Sequence, residues 1–158
     1  MIETCKRIND QGINLKLHLV GLKNAPDNLP DFVINHGFLS KNNEEQYKEL
    51  QELYSSCHFL MVPSLGECYG LVFCEASANG LPSISTNVGG IPTVVKNGRN
   101  GFLFDLPFDN QKAANKMIEL FLDKDKYMQL ALNARKEFDN RLNWKVAGQT
   151  LSKLMQQE

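Results

Sequence analysis

The sequence predicts an α/β fold in which a parallel sheet carries helices on both faces. Short β-prone runs alternate with longer helical segments through most of the chain, the pattern of strands joined by helical crossovers. The run HFLMV at 58–62 is continuously apolar, as expected of a strand buried on both faces of a parallel sheet. The length, 158 residues, is that of one domain on a prior of ~100–200 residues per domain.

The elements follow in order. Residues 2–11 read as a helix closed by Gly12. Residues 14–20 (NLKLHLV) alternate as a strand and stop at Gly21. Residues 23–31 mix two prolines with Asn and Asp, which makes a loop. A short strand, FVINH at 32–36, runs into Gly37. Residues 42–56 form an acidic amphipathic helix with Tyr47, Leu50 and Tyr54 on one face. After the 58–62 strand and a loop to Gly70, LVFCEASAN reads as a buried helix ending at Gly80. LPSIST is the next strand, and Gly89-Gly90 opens a short turn or helix through Val95. NGRNG at 97–101 is a turn and GFLF at 101–104 a final strand. Three helices are expected over about 109–122, 125–139 and 143–157. The sequence shows no internal repeat and no low-complexity tract.

Composition excludes several classes. Seventeen Lys and Arg against eighteen Asp and Glu leave a net charge of −1, unlike the basic excess of a general nucleic-acid binder. No apolar run approaches the ~18 residues of a membrane span. No N-terminal segment resembles a secretory signal, so a cytoplasmic location is expected. Cys5, Cys57, Cys68 and Cys74 form no C-x-x-C pair, and His18, His36 and His58 do not fall at zinc-finger spacings. The cysteines read as reduced thiols of a cytosolic protein.

Chemistry concentrates in residues 63–101. The 58–62 strand ends at Pro63-Ser64, and the chain turns through Leu65, Gly66, Glu67, Cys68 and Tyr69 into a helix at Gly70. Open α/β sheets bind ligands at the carboxyl ends of their strands. There the amides of Gly70, Leu71 and Val72 would project from a helix N-terminus, which favours an anion such as phosphate. Glu67 and Glu75 stand eight residues apart. Carboxylates beside a phosphate site would repel a bare phosphate, but they suit sugar hydroxyls on either side of one. That combination describes a nucleotide sugar. Gly89 and Gly90 follow the next strand, and their amides would face the same crevice.

The stretch carries Pro63-Ser64, Glu67, Tyr69-Gly70, Glu75-Ala76, Gly80-Leu81-Pro82, Gly89-Gly90-Ile91-Pro92 and Asn97-Gly98-Arg99-Asn100-Gly101. In this it resembles the C-terminal, donor-binding half of retaining GT-B glycosyltransferases, specifically family 4, the glycosyl transferases group 1. Weaker similarity extends to LHLVG, GFLS, LYSSCHFLMVPS and Trp144. The resemblance implies a Rossmann-like domain binding a UDP-, GDP- or ADP-sugar donor. It implies that Glu75 accepts the ribose hydroxyls and that Glu67, the catalytic residue, contacts the donor hexose during retaining transfer. The amides of Gly70, Leu71 and Val72 would hold the diphosphate, with Ser64, Gly66, Tyr69, Gly89 and Gly90 around them. Phe38 and Leu39 would border the base. Neither a metal nor a cofactor is implied, because GT-B enzymes stabilise the leaving diphosphate with helix dipoles and basic side chains.

The resemblance further implies a glycan or lipid-linked acceptor held by an N-terminal domain missing from this chain. It leaves room for peripheral membrane association of the full enzyme. The family's Arg and Lys that grip the diphosphate precede the point where this sequence begins, and Thr93 stands where the family often has Glu. The expectation is therefore a truncated half of a two-domain enzyme, lacking its first strand and inactive alone. That strand would lie between the strands at 14–20 and 58–62. The gap would close by rearrangement or be filled by a neighbouring molecule, because unpaired strand edges are costly. Three other readings stand beside it: a non-catalytic nucleotide- or sugar-binding module, a sugar-nucleotide epimerase of the same fold, and a glycosidase using Glu67 and Glu75 as acid and base.

Overall fold

The computed structural model describes residues 1–22, 24, 26 and 28–156. Lys23, Ala25 and Asp27 of the expected 23–31 loop lie outside the described residues, as does Gln157 at the expected end of the last helix. The chain divides into two units, one formed by Met1–Cys57 with Asp109–Leu122 and the other by His58–Phe108 with Asp123–Glu158.

The first unit holds α1 (Ile2–Asn9), β1 (Leu17–Leu19), β2 (Val33–Asn35), α2 (Glu44–Ser56) and α5 (Asn110–Leu122). β1 and β2 pair in parallel, with Leu17 opposite Val33 and Leu19 opposite Asn35. α1 packs on α5. Its Thr4 hydroxyl donates to Asn110 Oδ1 at 2.8 Å and its Arg7 guanidinium to Gln111 Oε1 at 2.7 Å. Cys5 and Ile8 of α1, and Ala113, Ala114, Met117 and Leu120 of α5, are buried. Burial pushes the Cys5 thiol up to about 11. Leu50 and Tyr54 of α2 are buried as its amphipathic pattern requires, whereas Tyr47 stays exposed. Residues 1–12 contribute α1 and its closing turn rather than a strand.

The second unit holds β3 (Leu60–Val62), α3 (Leu71–Ala78), β4 (Ser83–Thr86), α4 (Ile91–Val94), β5 (Gly101–Phe104), α6 (Lys124–Asn140) and α7 (Trp144–Met155). Its sheet has the order β3-β4-β5, parallel throughout. Phe73, Cys74, Ile91, Val94, Val95 and Leu142 form the core, with Val62, Val72, Leu103 and Phe138 packed against it. α3 packs on α6. Parallel sheets flanked by helices are thus the observed architecture, as the alternating pattern predicted.

The strands are shorter than the apolar runs that announced them, for local reasons. Leu15 is held by the Asn9 side chain, whose Oδ1 accepts from the Leu15 amide at 2.8 Å, so β1 starts only at Leu17. The His58 carbonyl accepts from the Tyr127 hydroxyl at 3.1 Å, and β3 starts at Leu60. The Leu81 amide donates back to the Ala76 carbonyl at 2.9 Å, so Leu81 belongs to the exit of α3 rather than to β4.

Candidate functional site

In the second unit, the loop from β3 to α3 is held by the strand beside it. Four consecutive residues of β4, Ser83 to Thr86, are fully buried although three carry hydroxyls. Two of those hydroxyls reach past the ladder. Ser85 Oγ donates to the Val62 carbonyl at 2.6 Å, and Thr86 Oγ1 donates to the Ser64 carbonyl at 2.5 Å. A buried hydroxyl is costly unless bonded, so these bonds fix where β3 releases the chain.

The loop then enters α3 through Gly70, which has φ 82° and ψ 69°. A side chain in this left-handed region is strained, and a Cβ there would sit 2.5 Å from the Phe73 ring. Glycine therefore lets the chain turn directly over buried Phe73. No side chain caps the start of α3. By contrast, Asn43, Asp109, Asp123 and Asn143 accept from the first-turn amides of α2, α5, α6 and α7. A helix leaves its first amides without intrahelical partners, so the start of α3 presents them with the positive end of its dipole.

Gly89 and Gly90 lie against this loop. A Cβ on Gly89, at φ 52°, would stand 2.2 Å from the Glu67 carbonyl oxygen, and one on Gly90 would stand 1.8 Å from that of Cys68. The Gly90 amide donates to the Glu67 carbonyl at 3.0 Å. This corrects one detail of the expected site. The Gly90 amide is committed to the loop rather than facing the crevice, and the glycine pair acts as a backbone seat for Glu67 and Cys68.

Within the unit, the structure thus gathers Ser64, Gly66, Glu67, Tyr69, Gly70, Leu71 and Val72 on one loop and helix start, with Gly89 and Gly90 beneath. Glu67 is partly exposed, and its Oε1 accepts from the Cys68 amide at 2.9 Å. Glu75 lies in the second turn of α3, also partly exposed, and its carbonyl accepts from the Asn79 side chain. Leu71 is exposed and Val72 packs toward the core. Tyr69 of the loop and Cys74 of α3 interact electrostatically. Burial pushes both groups above their ordinary values, the neighbouring Cys74 adding to the effect on Tyr69.

Phe38 and Leu39 belong to the first unit, where Phe38 is 58% exposed and Leu39 is buried. The Gly21 amide donates to the Gly37 carbonyl at 2.7 Å just before them. His18 Nδ1 and His36 Nε2 approach to 2.9 Å, and Glu49 Oε1 lies 2.7 Å from His36 Nδ1.

Sequence reasoning missed a group in the second unit. Glu137 of α6 is 1% exposed. Arg99 Nε lies 2.5 Å from its Oε1, and Arg141 Nε pairs with its Oε2. Arg141 also donates to the carbonyls of Thr93 at 2.7 Å and Val94 at 2.8 Å, at the end of α4. Arg99 is thus held in a structural pair. The charge of Glu137 reads as solvated, but its spacing from Leu130 and Ala134 on one face of α6, with Arg141 four residues on, was the local signal of a buried pair. The hydroxyls of Ser85 and Thr86 were legible in principle as polar groups inside an expected strand.

Known proteins share this architecture. Sucrose-phosphate synthase from Thermosynechococcus elongatus superposes with a TM-score of 0.77 at 28% identity, over 99% of this chain and 41% of that one. Anabaena HepE, solved in complex with UDP-glucose, superposes with a TM-score of 0.62 at 19% identity, over 99% of this chain and 53% of that one. The Arabidopsis thaliana sulfoquinovosyl transferase SQD2 is 33% identical over 105 residues, 65% of this chain and 20% of that protein. The fold is therefore that of the Rossmann-like glycosyltransferase half expected from the motifs. The sequence model of the glycosyl transferases group 1 matches residues 1–137, and the chain belongs to that family. It spans 20% to 38% of the length of the first curated relatives it matches. No helix among the described residues is long and apolar enough to cross a membrane.

Proposed function

We propose that the loop and helix start built from Ser64, Gly66, Glu67, Tyr69, Gly70, Leu71 and Val72, with Glu75, bind a nucleoside diphosphate sugar. In the longer enzyme they would serve a metal-independent, retaining hexosyl transfer to a glycan or lipid-linked acceptor. The observation that carries the reading is the uncapped start of α3 behind a glycine in the left-handed region, facing a loop that carries Glu67. Backbone amides and a helix dipole suit a diphosphate, and they act on the negative charge that develops as it leaves. Glu75 accepts the ribose hydroxyls and Glu67 contacts the hexose. HepE, of the same fold, was solved with UDP-glucose, which makes UDP and UDP-glucose the first probes. Phe38 and Leu39 keep their place beside the base on motif resemblance alone.

The test is saturation-transfer NMR of this chain with UDP, GDP, ADP and UDP-glucose. One diphosphate is expected to bind. Glu75→Gln should weaken the diphosphate itself, whereas Glu67→Gln should weaken the sugar conjugate and leave the diphosphate. Nucleotide binding that is unchanged in both variants sinks the carboxylate assignment. Release of free sugar from a simple glycoside, with no nucleotide present, would revive a hydrolase.

A further inference from the structure

We propose that Arg141, clamped by buried Glu137, is a positioning residue that holds the Glu67 loop through α4. The proposal rests on the reading of that loop as a donor site. Arg141 is not a candidate to bind a phosphate itself. Its guanidinium is taken up by Glu137 and by the carbonyls of Thr93 and Val94. A guanidinium is a rigid fork of five donors, and here it bridges the last turn of α6 to the last turn of α4.

α4 is short, and other contacts reinforce both of its ends. The Lys96 ammonium donates to the Pro92 carbonyl at 2.7 Å, and the Asn100 side chain adds a second donor to Val94 at 3.1 Å. Ile91 and Val94 are fully buried in the core. At the other end, the Thr93 hydroxyl donates to the Gly90 carbonyl at 2.6 Å, and the Gly90 amide donates to Glu67. The links therefore run from Glu137 to Arg141, to the α4 carbonyls, to Gly90 and to the main chain of Glu67. Glu137 is what keeps the fork aimed. A buried carboxylate needs its partners, so the pair resists any swing of Arg141 toward solvent.

The experiment uses the whole chain. Amide hydrogen exchange at Gly90 and the affinity for UDP are measured in the parent, Arg141→Gln, Arg141→Lys and Leu130→Ala. Leu130 is buried on α6 and is the control for general loss of stability. In Arg141→Gln, Gly90 should exchange faster and the amides of Glu67 and Cys68 should shift. UDP should bind about tenfold more weakly, the usual scale of such coupling. Arg141→Lys should fail to restore either readout, because one ammonium does not span a carboxylate and two carbonyls. Leu130→Ala should lower the melting temperature yet keep Gly90 protection and UDP affinity within about twofold of the parent, since Leu130 makes none of the bonds that link Arg141 to Glu67.

Parent-like protection at Gly90 in Arg141→Gln overturns the proposal. So does full recovery by Lys, which would reduce Arg141 to a point charge, or an equal loss of UDP in Leu130→Ala. If the parent binds no nucleoside diphosphate, the donor-site reading fails while Gly90 exchange still reads the link from Arg141.

Discussion

Replacing Gly90 with alanine tests how the loop at Glu67 is held. Gly90 has φ −85° and ψ −5°, a conformation any residue adopts, so the backbone does not object. The obstacle is steric. The new Cβ would stand 1.8 Å from the Cys68 carbonyl oxygen, where anything under 3.0 Å forces a shift. The opposing atom is main chain, so no rotamer change relieves it, and the loop must move by at least the difference, 1.2 Å. Overpacking of this kind costs about 1–3 kcal/mol. The strained bond from the Gly90 amide to Glu67 adds about 1 kcal/mol if it breaks. Urea denaturation should report a loss of about 2–4 kcal/mol in total, with the slope unchanged. UDP titration should show weakened binding, because the loop no longer rests where α3 begins. Gly66→Ala is the matched control in the same loop. No atom lies within 4 Å of a Cβ there, so stability should hold. A Gly90→Ala protein with parental stability and parental UDP affinity would refute the steric argument.

Other outcomes follow from single contacts. Asn100→Ala removes a fully buried side chain that bonds the Lys96 amide at 2.7 Å and the Val94 carbonyl, and should cost about 1–3 kcal/mol in the same denaturation assay. Gly148→Ala places a methyl in open space on α7 and should stabilise the chain by up to about 1 kcal/mol through helix propensity, read as a higher melting temperature. Burial, and then the charges of His36 and Lys16, hold His18 below its ordinary 6.5. The unfolded chain therefore takes up that proton first, so this contribution to stability is present above about pH 6.5 and is lost as the pH falls below it. Melting temperatures between about pH 7.5 and 5.5 should fall with acid, and His18→Gln should flatten that fall.

Much of this molecule was readable along the chain. Turn residues and apolar periodicity placed every element from α1 to α7, because Gly70, Gly80 and the Gly89-Gly90 pair punctuate the chain where it reverses. Strand ends were less legible. Leu15, His58 and Leu81 are apolar or neighbour apolar residues, yet bonds to Asn9, Tyr127 and Ala76 claim them before the ladder does. The donor loop could be located, but the way it is held could not. Gly90 meets Cys68 across twenty-two residues, and Glu137 meets Arg99 across thirty-eight. No sequence period encodes such meetings. The spacing of Glu137 puts it on the α6 face that buries Leu130 and Ala134, against what its charge suggests, and Arg141 four residues on together with Arg99 brought back by its turn makes that burial possible.

The seat that Gly89 and Gly90 provide lies against the main chain of Glu67, Cys68 and Tyr69. A joint made of peptide groups is blind to what the residues above it carry. Leu65, Cys68 and Tyr69, all exposed, are therefore open to replacement while Glu67 keeps its place. A library randomised at those three positions should return folded proteins at high frequency. Randomising the glycines should return far fewer, so the rim of the site is free to diversify above a foundation that is not.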